Sequence, residues 1–167
     1  MTYAARVETL MSKPVVAVVP GIKVADALDL ALQHRLHHLP VVDQGTAVGI
    51  VCTCDLEEAP VSATVGLVMK KPALSVVPST LGREALEIMN AHRVGSLVVL
   101  DQDRIVGIVT RRDLERAGLP VMSDPRGHCS CCGSLSHLRE HITGALCTDC
   151  LGRSRLSHDE GEIGGSD

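Results

Sequence analysis

The feature that most restricts the fold of this 167-residue sequence is an internal repeat, because the chain matches itself without gaps at an offset of 58 residues. Nearly half of the positions from 11 to 59 are identical to their partners, including the pairs Met11/Met69, Pro20/Pro78, His34/His92 and Asp55/Asp113. Two copies are too few for a solenoid, in which at least three stacked units share a core. We therefore expect two similar units that pack face to face about a pseudo-twofold axis.

Hydrophobic periodicity predicts the same order of elements in both copies. In the first copy, an apolar run from Val15 to Val19 indicates a strand, and apolar residues at helical spacing follow it: Ala25, Leu28, Leu32 and Leu36. Two β-branched runs, 39–42 and 47–51, flank turn residues and predict a hairpin, after which a short helix is expected from Thr53. We expect Thr53 to cap that helix.

The second copy predicts a strand over 74–77, a helix over 81–92, strands over 97–100 and 105–109, and a helix from Arg111. Each unit is thus βαββα, and the fold class is mixed α/β (α+β). We place the first repeat at residues 1–60 and the second at 61–120. A linker rich in turn residues then leads to a separate lobe at 124–155, and the acidic, glycine-containing stretch 156–167 is expected to be disordered.

Composition narrows the classes of partner. The chain has no Phe or Trp and one Tyr, so its core must be aliphatic, and 16 basic against 20 acidic residues give a net charge of −4. No general positive field exists to attract nucleic acid or anionic lipid. No apolar run reaches the roughly 18 residues of a membrane span, and the N-terminus lacks the apolar core of a signal peptide. We therefore predict a cytoplasmic protein with no membrane partner and no expected nucleic-acid partner.

The cysteines indicate a metal site more than disulfides. There are seven, an odd number, and four of them form two C-x-x-C pairs: Cys129, Cys132, Cys147 and Cys150. This spacing lets two tight turns direct four thiolates at one Zn²⁺ ion, and a site filled by four sulfur ligands is structural because no coordination position is open for catalysis. Few apolar residues lie in this stretch, so the lobe should need zinc in order to fold.

The two copies resemble CBS domains, whose tandem pair is often called a Bateman module. The resemblance covers roughly residues 7–117 and rests on the phrases LMSKPVVAVVP, TAVGIVCTCDLEEA, VMKKPALSVVP and RIVGIVTRRDLERA. It implies two βαββα units with clefts between them, modules that commonly form homodimers, and a regulatory role in sensing AMP, ADP, ATP or S-adenosyl compounds.

The resemblance also implies a ligand site in the second copy, at the family's G-h-x-[Ser/Thr]-x-x-Asp element. Here Asp113 would bind the ribose hydroxyls, Thr110 a phosphate, and Arg111 or Arg112 would add positive charge. The positions at which the family commonly holds adenine are Val76, Val77 and Pro78. From the residues alone, Thr110 and Asp113 also form a helix-capping pattern, so both interpretations stay open.

The first copy keeps Asp55 but has Cys52 where the hydroxyl belongs, which predicts a weaker site there. His38, just before a strand, is a further candidate for ligand contact. Cys52 and Cys54 are two residues apart and would suit a redox or metal pair, although small buried cysteines are also common in cores.

Three functions follow as hypotheses. The leading one is a non-enzymatic regulator that binds an adenine nucleotide between the repeats and uses the zinc lobe to dock a protein partner. The second is an adaptor in which the zinc lobe binds protein or nucleic acid and the repeats only dimerise. The third is an enzyme, for which the sequence offers no pairing of a nucleophile with a base and no open metal site. We therefore predict that the chain is not an enzyme.

Overall fold

The computed structural model describes residues 4–121 and the backbone of two short strands at 138–141 and 144–147. Its elements follow one another as α1 (Val7–Leu10), α2 (Val24–Gln33), β1 (His38–Asp43), β2 (Thr46–Cys52), α3 (Thr53–Glu58), α4 (Val65–Val68), β3 (Ser75–Val76), α5 (Gly82–His92), β4 (Ser96–Asp101), β5 (Arg104–Thr110), α6 (Arg111–Arg116), β6 (Leu138–His141) and β7 (Gly144–Cys147). Strands β1 and β2 pair antiparallel, as do β4 and β5, while β3 pairs parallel with β4. The predicted mixed α+β fold is confirmed.

Both hairpins turn through two residues in the left-handed backbone region. In the first, Gln44 and Gly45 have φ of 47° and 85°, and in the second, Gln102 and Asp103 have φ of 47° and 64°. Positive φ at both central residues defines a type I′ turn, whose twist matches that of the flanking strands. The turn therefore sets the strand register in both repeats.

The first strand predicted in each repeat is shorter than the sequence pattern suggests. In the first repeat, Val18 alone forms a parallel bridge, to Val41, within the predicted run 15–19. In the second, the strand is reduced to the two residues of β3. Each run still brings one valine into the core, because Val18 is 4% exposed and Val76 is 7% exposed.

Helix α2 buries its small residues most deeply. The apolar spacing of Ala25, Leu28, Leu32 and Leu36 predicted a helix here, but its fully buried residues are Val24, Ala27 and Ala31, while Leu28 and Leu36 are partly buried against the core and Leu32 is 51% exposed. The two sets differ by one residue, about 100° around a helix. The two buried alanines belong to the core of the first repeat, together with strand residues such as Leu39 and Val51.

Each hydrophobic core contains the short helix that precedes the other repeat. The first core comprises buried residues from Val18 to Leu56 together with Val65 of α4. The second comprises buried residues from Val76 to Leu119 together with Val7 of α1. The backbone supports this exchange, since the Val7 N–H donates to the Thr80 carbonyl at 2.8 Å. Helix α1 therefore belongs structurally to the second repeat.

Strands β6 and β7 pair antiparallel, with Leu138 opposite Cys147 and His141 opposite Gly144. Among the residues that the structure describes, no helix is long and apolar enough to cross a bilayer.

Candidate functional site

Thr110 and Asp113 form a closed capping box at the start of α6. The Thr110 N–H and hydroxyl both donate to the Asp113 Oδ2, at 2.9 and 2.7 Å, and the Asp113 N–H donates to the Thr110 Oγ1 at 3.2 Å. Both residues are partly exposed. The carboxylate is thus held in a fixed orientation at the protein surface, which is what binding a vicinal diol requires, and the capping and ligand-binding interpretations are compatible.

Strand register determines which apolar residues lie near this box. Thr110 pairs with Ser96 at the beginning of β4, whereas Val76 lies beside Val99, three residues further along the strand. Three residues correspond to about 10 Å, and β3 and β5 are separated by the width of β4. Val76 and the two residues after it therefore lie toward the opposite end of the sheet from Thr110.

The segment before β3 lies closer to the capping box. The Leu74 carbonyl accepts from the Val98 N–H at 3.0 Å, so Leu74 runs beside the beginning of β4. The sequence pattern could not reveal this, because it does not show which end of a short parallel strand meets the end of β5. In the described structure Val76 belongs to the core and Val77 is 54% exposed.

The two arginines after Thr110 differ sharply. Arg112 is exposed. Arg111 is 1% exposed, and its guanidinium donates from Nε to the Val94 carbonyl at 3.1 Å, from Nη1 to the Asn90 Oδ1 at 2.8 Å and from Nη2 to the Met89 carbonyl at 3.1 Å. The expectation that Arg111 adds charge to a ligand does not fit this placement, which directs the side chain into the protein.

The equivalent position in the first repeat contains a capping box built on sulfur. The Cys52 thiol donates to the Asp55 Oδ2 at 3.1 Å, and the Asp55 N–H donates to the Cys52 Sγ at 3.3 Å. Cys52 therefore caps α3, and the expectation that Thr53 does so is wrong: Thr53 is 1% exposed and lies inside the first turn of the helix. The thiol reproduces the donor and acceptor roles of the Thr110 hydroxyl.

Cys52 and Cys54 are both 5% exposed and in the thiol state. A hydrogen bond to Cys54, burial, and the negative charge of Asp55 all raise the pKa of the Cys52 thiol above its ordinary value. Reactive and metal-binding cysteines have lowered pKa values and partial exposure. The environment of Cys52 thus favours a structural role over the redox or metal pair considered above.

The two aspartates differ in their cationic neighbours. The Lys70 Nζ lies 3.4 Å from the Asp55 Oδ2. Lys70 reaches this place because it forms an antiparallel bridge with Ile50 of β2. In the second repeat the corresponding bridge joins Ile108 to Ser12, so a serine stands where the first repeat has lysine. Asp55 thus forms an ion pair with Lys70, and Ser12, at the equivalent position, cannot form one with Asp113.

His38 is 8% exposed and pairs with Cys52 at the end of the first hairpin. Its neighbour His37 is partly exposed, and the His37 carbonyl accepts from the Thr53 N–H at 2.9 Å. The His37 Nδ1 has no hydrogen-bond partner. Both histidines thus lie at the first-repeat capping box.

Three of the predicted zinc ligands, Cys129, Cys132 and Cys150, lie outside the described residues, and Cys147 ends strand β7. Among the described residues no group of three or more His, Cys, Asp or Glu side chains is arranged to hold a metal ion.

Comparison with known proteins establishes the family. The family model for the CBS domain matches residues 7–62 and 65–127. The chain belongs to the CBS domain family. The CBS domain-containing protein YhcV of Bacillus subtilis is 30% identical over 118 residues, which cover 65% of this chain and 81% of that protein. The predicted tandem CBS pair is thereby confirmed for the repeat region.

Solved structures of CBS pairs share the fold. One, the CBS domain pair of protein MJ0100 in complex with 5′-methylthioadenosine and S-adenosyl-L-methionine, has a TM-score of 0.64 and 26% identity, covering 68% of this chain and 94% of that chain. Another, CBSX2 in complex with AMP, has a TM-score of 0.60 and 28% identity, covering 68% and 95%. CBS pairs similar to this one thus bind adenosyl ligands.

Several relatives are enzymes much longer than this chain. The chain spans only about a fifth of the L-aspartate semialdehyde sulfurtransferase of Methanocaldococcus jannaschii and of the inosine-5′-monophosphate dehydrogenase of Nitrosopumilus maritimus. The likeness is confined to their CBS part, so their catalytic activities do not carry over to this chain.

Proposed function

We propose that this protein is a regulatory CBS pair that binds one adenine nucleotide or adenosyl compound per chain, at the second repeat. The observation that supports this proposal is a difference between the equivalent carboxylates of Asp55 and Asp113. Both are partly exposed and oriented by a capping box, but only the Asp55 Oδ2 is shown with a lysine beside it, the Lys70 Nζ at 3.4 Å. A ribose diol that approaches Asp55 has to displace an ammonium group, while at Asp113 the position of that lysine is occupied by Ser12.

The proposed ligand lies against the end of the sheet that carries Thr110. Its ribose hydroxyls donate to Asp113, and the exposed Arg112 pairs with a phosphate or carboxylate of the ligand. Its adenine lies against the apolar segment around Leu74, because the strand register brings this segment to the same end of the sheet. In this arrangement the ligand does not contact Val77 and Pro78 of its own repeat.

A binding experiment with matched asparagine variants tests the proposal. Titration calorimetry against AMP, ADP, ATP and S-adenosylmethionine should find at least one ligand that binds with one site per chain. Asp113→Asn keeps an acceptor oxygen for the Thr110 cap but loses the charge that binds the diol, so affinity should fall by about 10-fold or more. Asp55→Asn is the matched control at the equivalent position and should leave affinity within about twofold.

Two outcomes would contradict this function. If none of the four ligands binds the unaltered protein, the sensor proposal fails. If a ligand binds with two sites per chain, or if Asp55→Asn weakens binding as much as Asp113→Asn does, the assignment to the second repeat fails.

We further propose that the protein acts as a cytoplasmic homodimer. We also propose that a C-terminal lobe docks a protein partner and binds a structural Zn²⁺ through Cys129, Cys132, Cys147 and Cys150. The zinc site is supported by the C-x-x-C spacing and by the β6–β7 hairpin, which follows the first cysteine pair and ends at Cys147. Metal analysis should find one zinc per chain, lost in Cys147→Ser and retained in Cys54→Ser. Equal zinc content in both variants would refute this ligand set.

A further inference from the structure

Arg111 is a buried cation that takes no part in the capping box and does not contact the proposed ligand. It follows Thr110 directly and opens helix α6, yet its side chain points away from the surface and is 1% exposed. Burying a guanidinium is costly unless hydrogen bonds satisfy its donors. Here three nitrogens donate to three acceptors, at distances of 2.8 to 3.1 Å.

All three acceptors lie in one stretch, the end of α5 and the connection to β4. They are the Met89 carbonyl, the Asn90 Oδ1 and the Val94 carbonyl, and the Arg111 backbone N–H also donates to the Gly95 carbonyl at 3.0 Å. The last carbonyls of a helix lack partners within the helix and carry partial negative charge. The guanidinium therefore closes the C-terminus of α5 and joins it to the start of α6.

The first repeat has the same backbone hydrogen bond but a threonine in place of the arginine. There the Thr53 N–H donates to the His37 carbonyl at 2.9 Å, just as Arg111 donates to Gly95. Thr53 has no guanidinium. The link that a guanidinium makes between the capping helix and the preceding helix thus belongs to the second repeat, in which Ser12 stands where the first repeat has Lys70.

We propose that Arg111 is a positioning residue for the nucleotide site, which couples occupancy of Thr110 and Asp113 to the segment 89–95, the end of α5 and its connection to β4. This inference rests on the proposed function. A ligand that holds the start of α6 stabilises Arg111 in place, and Arg111 in turn holds the end of α5. Segment 89–95 is then the part of the chain through which binding at the second repeat reaches the rest of the molecule.

Hydrogen–deuterium exchange and affinity measurements on the full chain test this coupling. In the unaltered protein, the ligand found in the calorimetric panel should slow amide exchange in residues 89–95. In Arg111→Met, which keeps the length of the side chain without its donors, affinity should fall at least fivefold and the ligand-induced protection of 89–95 should disappear. Arg111→Lys keeps the charge but not the fork of donors, and should recover only part of both.

Two further variants separate coupling from loss of stability. Asn90→Ala removes one acceptor from an exposed position and should reduce the ligand-induced protection even if Arg111→Met does not fold. Val65→Ala creates a cavity in the core of the first repeat and should lower stability while leaving the protection intact. The inference is overturned if the bound ligand does not slow amide exchange in residues 89–95. It is also overturned if Asn90→Ala keeps the full ligand-induced protection and a folded Arg111→Met variant binds the ligand normally. Absence of any binding to the unaltered chain would instead refute the proposed function.

Discussion

At the scale of single residues, Cys52 shows that a thiol can replace a capping hydroxyl when it is buried beside a carboxylate. Its Sγ accepts from the Asp55 N–H and donates to the Asp55 Oδ2. The thiol must stay protonated in order to donate, and the hydrogen bond to Cys54, burial and the charge of Asp55 all raise its pKa. The cap is therefore coupled to pH in a way that a hydroxyl cap is not.

This coupling predicts that stability falls at alkaline pH. The unfolded chain ionises Cys52 above about pH 8.5, while the folded chain keeps the proton, so the folded state binds more protons. The stabilisation is fully present below that pH and is lost as pH rises toward the raised pKa of the native state. By pH 9.5 the loss is on the order of 1 kcal/mol relative to pH 7.

Urea unfolding of the unaltered protein and of Cys52→Ser at both pH values measures this loss. The serine hydroxyl keeps the cap and does not titrate, so the variant should lack this part of the pH dependence. Cys52→Ala removes the cap and should cost about 1 kcal/mol at pH 7. Identical pH dependence in the unaltered protein and in Cys52→Ser would show that Cys52 does not keep its proton.

At the scale of elements, the two hairpins supply the same turn conformation with different residues. Both need two consecutive residues at positive φ, but the first supplies Gly45 and the second supplies Asp103. A side chain at positive φ strains the backbone, and glycine avoids that strain. The first hairpin therefore depends on its glycine through conformation alone, because a Cβ at Gly45 would meet no atom within 4 Å.

Gly45→Ala should lower the free energy of unfolding by about 1 kcal/mol. Gly21→Ala is a matched control, since a Cβ there also meets nothing within 4 Å but φ is not positive. That variant should be neutral or slightly stabilising, because it reduces the freedom of the unfolded chain. Thermal or urea unfolding of both variants measures the difference, and equal effects would rule out strain at Gly45.

The sequence was sufficient to predict most of the elements but not all of their contacts. The repeat, the β-branched runs and the turn residues predicted the hairpins β1–β2 and β4–β5 and helices α2, α3, α5 and α6, but not the short helices α1 and α4. The apolar spacing predicted helix α2 but did not show which residues it buries, because the leucine spacing is nearly as regular as the spacing of the buried Val24, Ala27 and Ala31. Periodicity cannot distinguish two faces that differ by one residue when both are apolar.

The candidate site was predictable in part. Thr110 and Asp113 follow from their motif, whereas the ion pair between Lys70 and Asp55 depends on a bridge between segments that are distant in the sequence. The direction of the Arg111 side chain was likewise not predictable, because an arginine at the start of a short helix is usually solvated. Contacts made in three dimensions, rather than motifs, distinguish the two repeats.

At the scale of the whole molecule, α1 packs into the core of the second repeat and α4 into the core of the first. Each repeat therefore depends on residues that precede or follow it. Val7 of α1 is fully buried among residues of the second repeat, and Val65 of α4 is fully buried among those of the first. Leu10 of the same helix is partly buried against the second core, whereas Glu8 is exposed. The contribution of α1 to stability therefore comes from Val7, with a smaller share from Leu10.

Val7→Ala should lower the free energy of unfolding by about 2 kcal/mol, which combines the lost burial of two methyl groups with a residual cavity. Glu8→Ala, on the exposed face of the same helix, should change it by less than about 0.5 kcal/mol. Chemical denaturation of the two variants gives both values. Equal effects would mean that α1 is not part of the second core.

Because α1 and α4 each pack into the core of the other repeat, the residues that form one core are not the same as the residues of one sequence repeat. The first core draws on residues 16–69, an unbroken stretch, while the second needs 7–11 together with 74–121. On a ribosome, which delivers the chain from its N-terminus, the first core is complete once α4 has emerged. Helix α1 is synthesised before the first core, yet its partners, α5 and β5 of the second repeat, are made only after that core is complete, so α1 takes its place later than the segments that follow it directly.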